Sequence, residues 1–295
     1  MPETQLQLCP EEVRLKLFRL KEIPPPSGSA QVIMRVAADD HVDLTQIVSL
    51  IEKSPELTVR ILRCANSAYY GQRSQICSVR EAVIRVLGLS VTKSLILAMA
   101  LAGSFRLRSS TGFDKERHWF VSVTTATLAQ DLSRKLLVRD KPAPGTAYAA
   151  GLIHNLGVLA LLHSFPEQME QVFTLDNLGK IRQTMIKLIG VDYRIAGGWL
   201  AQRWGLPEDL ILAITHHEDP SYHSTAWPLV RLVGLSAHFA ANLYQGTINQ
   251  SMFSNNTQSE VVNSDDIEQS VTRLFEQVDK LKGLAQLLAG DGGQP

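Results

Sequence analysis

Four segments, Ile23-Pro24-Pro25-Pro26, Ser54-Pro55-Glu56-Leu57, Cys64-Ala65-Asn66-Ser67-Ala68-Tyr69-Tyr70-Gly71 and Val86-Leu87-Gly88-Leu89, follow one another within residues 23–101. Their punctuation decides the fold class. Ser54 before Pro55 places an N-cap ahead of a proline at the first helical position, and Ser78 with Glu81 spells a capping box. Gly71, Gly88 and Gly205 each follow an apolar periodic run, where a residue without a Cβ can close a helix. Apolar residues recur at helical spacing in Leu44, Ile47, Val48 and Ile51, and again in Val79, Ala82, Val83, Val86 and Leu87. Ala149, Leu152, Ile153 and Leu156 repeat the stripe, as do Leu210, Ala213, Ile214 and His217. No convincing run alternates apolar and polar residues as a half-buried strand does. An all-α fold is expected.

Working outward, the polar stretch from Thr111 to Arg117, which contains Gly112, marks the best boundary between two helical lobes, 1–110 and 111–246. Residues 247–266 read as an exposed polar loop. Ile267 to Leu288, within 267–289, reads as one further amphipathic helix that either docks back or pairs with another chain. The tail 290–295 carries no signal for order.

The 295 residues suffice for a sizeable core, and Lys plus Arg and Asp plus Glu both total 29, so no global field draws the chain to DNA, RNA or an anionic membrane. Cys9, Cys64 and Cys77 form no Cys-x-x-Cys pair, which argues against a disulfide framework and fits a reducing cytoplasm. The longest stretch considered for insertion, Leu95 to Phe105, falls short of the roughly 20 residues of a membrane span.

Taken in order, the four opening segments resemble the core of the HDOD family, the HD-related output domain of bacterial signalling proteins. Trp204-Gly205-Leu206-Pro207-Glu208-Asp209-Leu210, leading into His216-His217-Glu218-Asp219-Pro220, is similar to the second half of the same module, so that the resemblance runs from Leu17 to Leu243. It implies an HDOD-type helical fold in which an N-terminal lobe packs on a degenerate HD-like lobe. In a catalytic HD enzyme a helix-borne histidine, a His-Asp pair and a distant aspartate hold a divalent metal that activates water. Carried over residue by residue, the first histidine falls at Val121, the His-Asp pair at His154-Asn155 and the last aspartate near Ala237. One of the four ligands is retained. His118 or His238 would take a ligand role if the matching were displaced by one to three residues.

The bland reading of each residue stands beside the functional one. His217 shares the face of Leu210, Ala213 and Ile214, so a buried, hydrogen-bonded imidazole accounts for it. His216 either faces the vestigial cavity or caps its helix, and His154 holds helices around the former metal site or retains a ligand role. His41, His163 and His223 read as surface residues. Tyr69 and Tyr70 read as core aromatics, the alternative being a contact surface. Gly197-Gly198 lacks the strand-to-helix setting of a phosphate loop and suits close helix packing. The pair Val79–Leu87 and Val91–Met99 imitates a helix-turn-helix, yet Val91 to Ala102 offers Lys93 as its only charge.

The expectation is therefore a cytoplasmic, non-catalytic signalling module with no cofactor and no metal, acting through a regulatory protein partner or a small ligand. No DNA, RNA or membrane partner is expected. One competing reading is a divergent phosphohydrolase or phosphodiesterase acting on nucleotides or cyclic dinucleotides, with His154, His216 and His217 as ligands. Another is a cyclic-dinucleotide receptor that grips phosphates with paired arginines. Because the HDOD-like region fills most of the chain, no room for a receiver domain is expected within it.

Overall fold

The computed structural model describes residues 28–38, 42–105, 107, 112–174, 181–254 and 261–290. Ile23-Pro24-Pro25-Pro26, Cys9 and His41 lie outside the described residues. The described residues form helices and no strand. They are α1 Gly28–Ala38, α2 Leu44–Glu52, α3 Pro55–Ala65, α4 Val79–Glu81 running into a π-helical segment Ala82–Leu87, α5 Leu89–Ala102, α6 Lys115–Ser133, α7 Pro144–Ile153, α8 Leu156–Ser164 and α9 Pro166–Thr174. Then come α10 Ile181–Ile189, α11 Tyr193–Arg203, α12 Glu208–His216, α13 Trp227–Gln245, the single turn α14 Ser251–Ser254, α15 Ser264–Phe275 and α16 Val278–Ala289.

The local chemistry explains the starts and stops. Ser54 Oγ accepts from Leu57 N–H ahead of Pro55, and Asp43 and Gln46 make a complete capping box on α2. Ser78 Oγ accepts from Glu81 N–H, but the Glu81 carboxylate turns to Arg85 instead of reaching back, so only half of the expected box forms. At the end of α11, Gly205 takes φ 69°, which lets Leu206 N–H reach Ala201 O at 3.0 Å, a closure that a side chain at this position would strain.

The cysteine-asparagine segment is a clamp. Asn66 donates from Nδ2 to Leu62 O (2.9 Å) and Ile76 O (2.8 Å), while its Oδ1 accepts from Ile76 N–H (2.8 Å). One side chain thus satisfies both backbone groups of a buried residue and folds the extended chain after Gly71 back on α3. Tyr69 and Tyr70 meet edge to face at 5.0 Å and pack on the core, in keeping with a structural role. Their hydroxyls engage Thr127 of α6 and Tyr148 of α7, which ties this segment to those two helices.

One apolar interior runs from Ile33 to Leu288, with α6 at its centre against α7, α13, α15 and α16. α5 buries Leu95 to Met99, so it is a core helix and no recognition helix. Two readings at the C-terminal end are corrected, and one open alternative is decided. Ile267–Leu288 is two helices broken at Glu276-Gln277, with no glycine or proline at the break. The second docks back, burying Leu281, Leu284, Ala285 and Leu288, and Arg60 Nη2 donates to Leu288 O at 2.8 Å. The described residues of the polar stretch 247–266, which leave out 255–260, are not all exposed loop: Phe253, Val261 and Val262 are buried, and Leu137 N–H donates to Val261 O at 2.8 Å, because a few apolar residues within a polar run suffice to anchor it.

The longest apolar stretch is also not Leu95–Phe105. Pro144–Ser164, which spans α7 and α8, is long and apolar enough to cross a membrane by composition, and 78% of its most apolar window is buried inside the fold. Burial in the protein accounts for its hydropathy.

Candidate functional site

The site forms where α6, α7, α11, α12 and α13 converge, and close backbone approach makes that convergence possible. A Cβ at Gly151 of α7 would lie 2.7 Å from Ala126 Cα of α6, so only glycine lets these helices touch. Gly197 and Gly198 serve helix packing in the same way, since Cβ atoms there would meet Gly157 and Thr215.

Between these helices lies a pocket of about 730 Å³, walled by Val121, His154, Tyr193, His217, Glu218 and Ala237, with His238 and Met252 at its side. The structure therefore brings together four of the six positions assigned by the resemblance, Val121, His154, His217 and Ala237, together with His238, the ligand of the displaced matching. The other two point elsewhere. Asn155 is buried against α6, its Oδ1 3.1 Å from Ser122 Oγ and its Nδ2 3.5 Å from His118 O. His216 stacks on Tyr222 at 4.4 Å and does not wall the pocket. Neighbouring residues of a helix diverge by about 100°, so His216 and His217 cannot both face one cavity.

His154 and His217 stand edge to face at 5.1 Å, and each is 3% exposed. His154 Nδ1 lies 2.7 Å from Gly151 O, and His217 Nδ1 lies 3.0 Å from both Ala213 O and Ile214 O. Carbonyls only accept, so both Nδ1 atoms carry the proton and both Nε2 atoms present a lone pair. Burial pushes the His154 imidazole down to about 3, reinforced by His217 nearby, and burial likewise pushes His217 down to about 4. His118 is buried behind His154 against Phe113 and Trp119, and burial holds it at about 3. It is a core histidine and does not wall the pocket.

Tyr193 and Glu218, missed as site residues in the sequence, complete the wall. Tyr193 O–H donates to Glu218 Oε1 at 2.5 Å, and its oxygen lies 3.2 Å from His217 Nε2. Burial and the Glu218 carboxylate hold the phenol well above its usual range. Behind them, buried Asp192 caps α11, accepting from Arg194 N–H and Ile195 N–H at 3.1 Å each. It also takes Arg194 at 2.8 Å and Arg182 at 2.9 Å, while Arg182 reaches Glu218 at 3.3 Å. The only advance signal was Asp192 standing before a helical run, which reads as a cap and nothing more.

The chain matches the HDOD domain over residues 23–220. It belongs to the HDOD family. A protein of unknown function from Treponema pallidum (strain Nichols) is 29% identical over 221 residues, 74% of this chain, and the chain spans 42% of that relative's length. A candidate signal transduction protein from Marinobacter aquaeolei VT8 shares the fold with a TM-score of 0.77 at 21% identity, over 94% of this chain and 66% of the other. A candidate phosphohydrolase from Shewanella amazonensis SB2B does so with a TM-score of 0.70 at 20% identity, over 94% of this chain and 98% of the other.

The divalent metal of HD enzymes, the family's relatives, does not fit the residues present. Val121 and Ala237, to which the family resemblance assigns ligands, offer apolar walls, and Asn155 is turned away. Among the described residues, no group of three or more His, Cys, Asp or Glu is arranged to hold a metal ion.

Proposed function

We propose that this HDOD protein is a non-catalytic output module of bacterial signal transduction, acting in the cytoplasm by binding a regulatory protein or a small ligand. The observation that carries the reading is the wall of the 730 Å³ pocket: at Val121 and Ala237, where the family resemblance assigns two metal ligands, the side chains carry no lone pair. His154 and His217 each donate Nδ1–H to a backbone carbonyl in the last turn of its own helix, a structural role that stands without a metal. Elemental analysis of protein purified without chelator, followed by phosphodiester hydrolysis with added manganese, tests the reading. Sub-stoichiometric metal and equal background rates in the parent chain and in His154→Ala are expected. Stoichiometric iron, manganese or zinc together with turnover lost in His154→Ala would overturn it.

A specific feature favours the competing phosphohydrolase reading, namely the two Nε2 lone pairs of His154 and His217 facing one cavity. That reading needs further ligands from this wall, and Glu218 is the only carboxylate there. Glu218 is already engaged by Tyr193 and Arg182.

A further inference from the structure

The hydrogen bonds around the pocket are unbalanced. Along its wall, His154 Nε2 has no partner among the described residues, and His217 Nε2 faces only the Tyr193 oxygen at 3.2 Å. Tyr193 has one proton, and the carboxylate at 2.5 Å takes it in preference to an imidazole at 3.2 Å, since a charged acceptor makes the stronger bond. The Glu218 carboxylate adds further acceptor capacity. Among the described residues no lysine or arginine lines this pocket: the nearby guanidinium groups of Arg182 and Arg194 are directed at Asp192 and Glu218. Both imidazoles are 3% exposed, so their lone pairs face a confined space, where an unmatched acceptor is costly. Val121, Ala237, Ala241 and Met252 give the remaining wall its apolar part, and His238 and Ser251 are its other polar residues.

We infer that this pocket takes a small, non-anionic ligand that presents N–H donors from an apolar body, an amine- or amidine-bearing molecule, with the donors directed at His154 Nε2, His217 Nε2 and Glu218. The inference rests on the non-catalytic reading, and it names the chemistry of the ligand. It also disfavours phosphate-bearing ligands, cyclic dinucleotides among them, because a phosphate oxygen entering here would meet lone pairs and a carboxylate. The arginine pair that the receptor hypothesis requires does exist, as Arg182 and Arg194, but Asp192 holds both.

Benzamidine is a suitable probe, since its planar amidinium is a pure donor on an apolar ring and the pocket has room for it. The full chain is titrated with benzamidine, and separately with inorganic phosphate and adenosine monophosphate, to about 10 mM at neutral pH. Melting temperature and saturation-transfer NMR are read together, as a ligand bound only by the folded state must raise the first. Saturable binding of benzamidine and none of either phosphate is expected. Ala237→Leu, which fills the cavity without touching a polar group, should weaken benzamidine about ten-fold or more, and Glu218→Gln should weaken it by a similar factor. Circular dichroism and melting of each variant separate lost binding from lost folding. No benzamidine binding over this range, binding unchanged in folded Ala237→Leu, or saturable phosphate binding abolished by that variant would each overturn the inference. Failure of benzamidine with no metal-dependent hydrolysis overturns the ligand class alone, whereas stoichiometric metal with turnover overturns the non-catalytic reading as well.

Discussion

Acidification from pH 7 to pH 5 is predicted to remove most of the stability of this protein, for a reason located in three side chains. His118, His154 and His217 are 8%, 3% and 3% exposed, and burial lowers them from 6.5 to about 3, 3 and 4. In the unfolded chain each returns to about 6.5. A depressed histidine favours the neutral folded form, so its contribution is fully present above the unfolded value and is lost as pH falls from there toward the folded value. At pH 5 each unfolded histidine is almost fully protonated and each folded one is neutral, which costs about 2 kcal/mol per residue and about 6 kcal/mol for the set. At pH 6 the set costs about 2–3 kcal/mol. Against a typical total of about 5–15 kcal/mol, the larger figure brings the protein near its unfolding midpoint.

Urea unfolding at pH 7, 6 and 5, followed by far-ultraviolet circular dichroism, measures this directly, since the unfolding free energy should fall by about 4 kcal/mol per pH unit near pH 5 as three protons are taken up. His118→Phe isolates one third of the effect. His118 packs between Phe113 and Trp119, and a phenyl ring keeps those contacts, so this variant should fold and lose about one proton from the slope. An unfolding free energy equal at pH 7 and pH 5, or a slope unaltered in His118→Phe, would refute the reasoning, because either result means that these imidazoles titrate normally in the folded state.

Asn66→Ala removes three hydrogen bonds and strands both backbone groups of Ile76, which is 1% exposed, so a loss of about 2–4 kcal/mol is expected by urea unfolding at neutral pH. Ala226 sits at φ 55° ahead of α13, and Ala226→Gly should raise stability by about 0.5–1 kcal/mol in the same assay, since glycine relieves the left-handed strain. Cys77 is exposed, whereas burial pushes the Cys64 thiol up to about 12, so peptide mapping after brief thiol labelling of the native protein should find the label on Cys77 and not on Cys64. Ending the chain after Gly246 removes Leu281, Leu284 and Leu288 from the shared core, and the shortened chain should melt well below the parent or fail to fold.

The fold was readable where one residue carries one meaning. Ser54-Pro55 could only start a helix and Gly205 could close one, and both did so. Four of the pocket residues were equally readable, because the family resemblance fixed their spacing along α6, α7, α12 and α13. What escaped depended on direction in space. His216 and His217 are neighbours in sequence and a third of a helical turn apart in orientation, so only one reaches the cavity. Asp192, Arg182 and Glu218 come from separate elements, and no linear pattern announces an ion-pair chain assembled from three places. The break at Glu276-Gln277 left no trace either, because tertiary packing of Leu274 and Leu281 decides it without help from glycine or proline.

The pocket keeps its imidazoles for a reason that needs no metal. A helix leaves its last carbonyls short of partners, and His154 and His217 each return a ring N–H to this last turn, to Gly151 O in α7 and to Ile214 O in α12, with Ala213 O taking both the ring and the backbone N–H of His217. Each is therefore held by its own helix before any ligand arrives. A side chain at position 121 or 237 would have had only the cavity to face, so without an ion there valine and alanine leave no polar group unsatisfied. The same arrangement that makes the histidines structurally useful aims their second nitrogen into the cavity as a fixed acceptor. On the non-catalytic reading, a wall that in metal-dependent relatives points lone pairs at an ion becomes, with three of the four ligand positions lost, a wall that selects for hydrogen-bond donors.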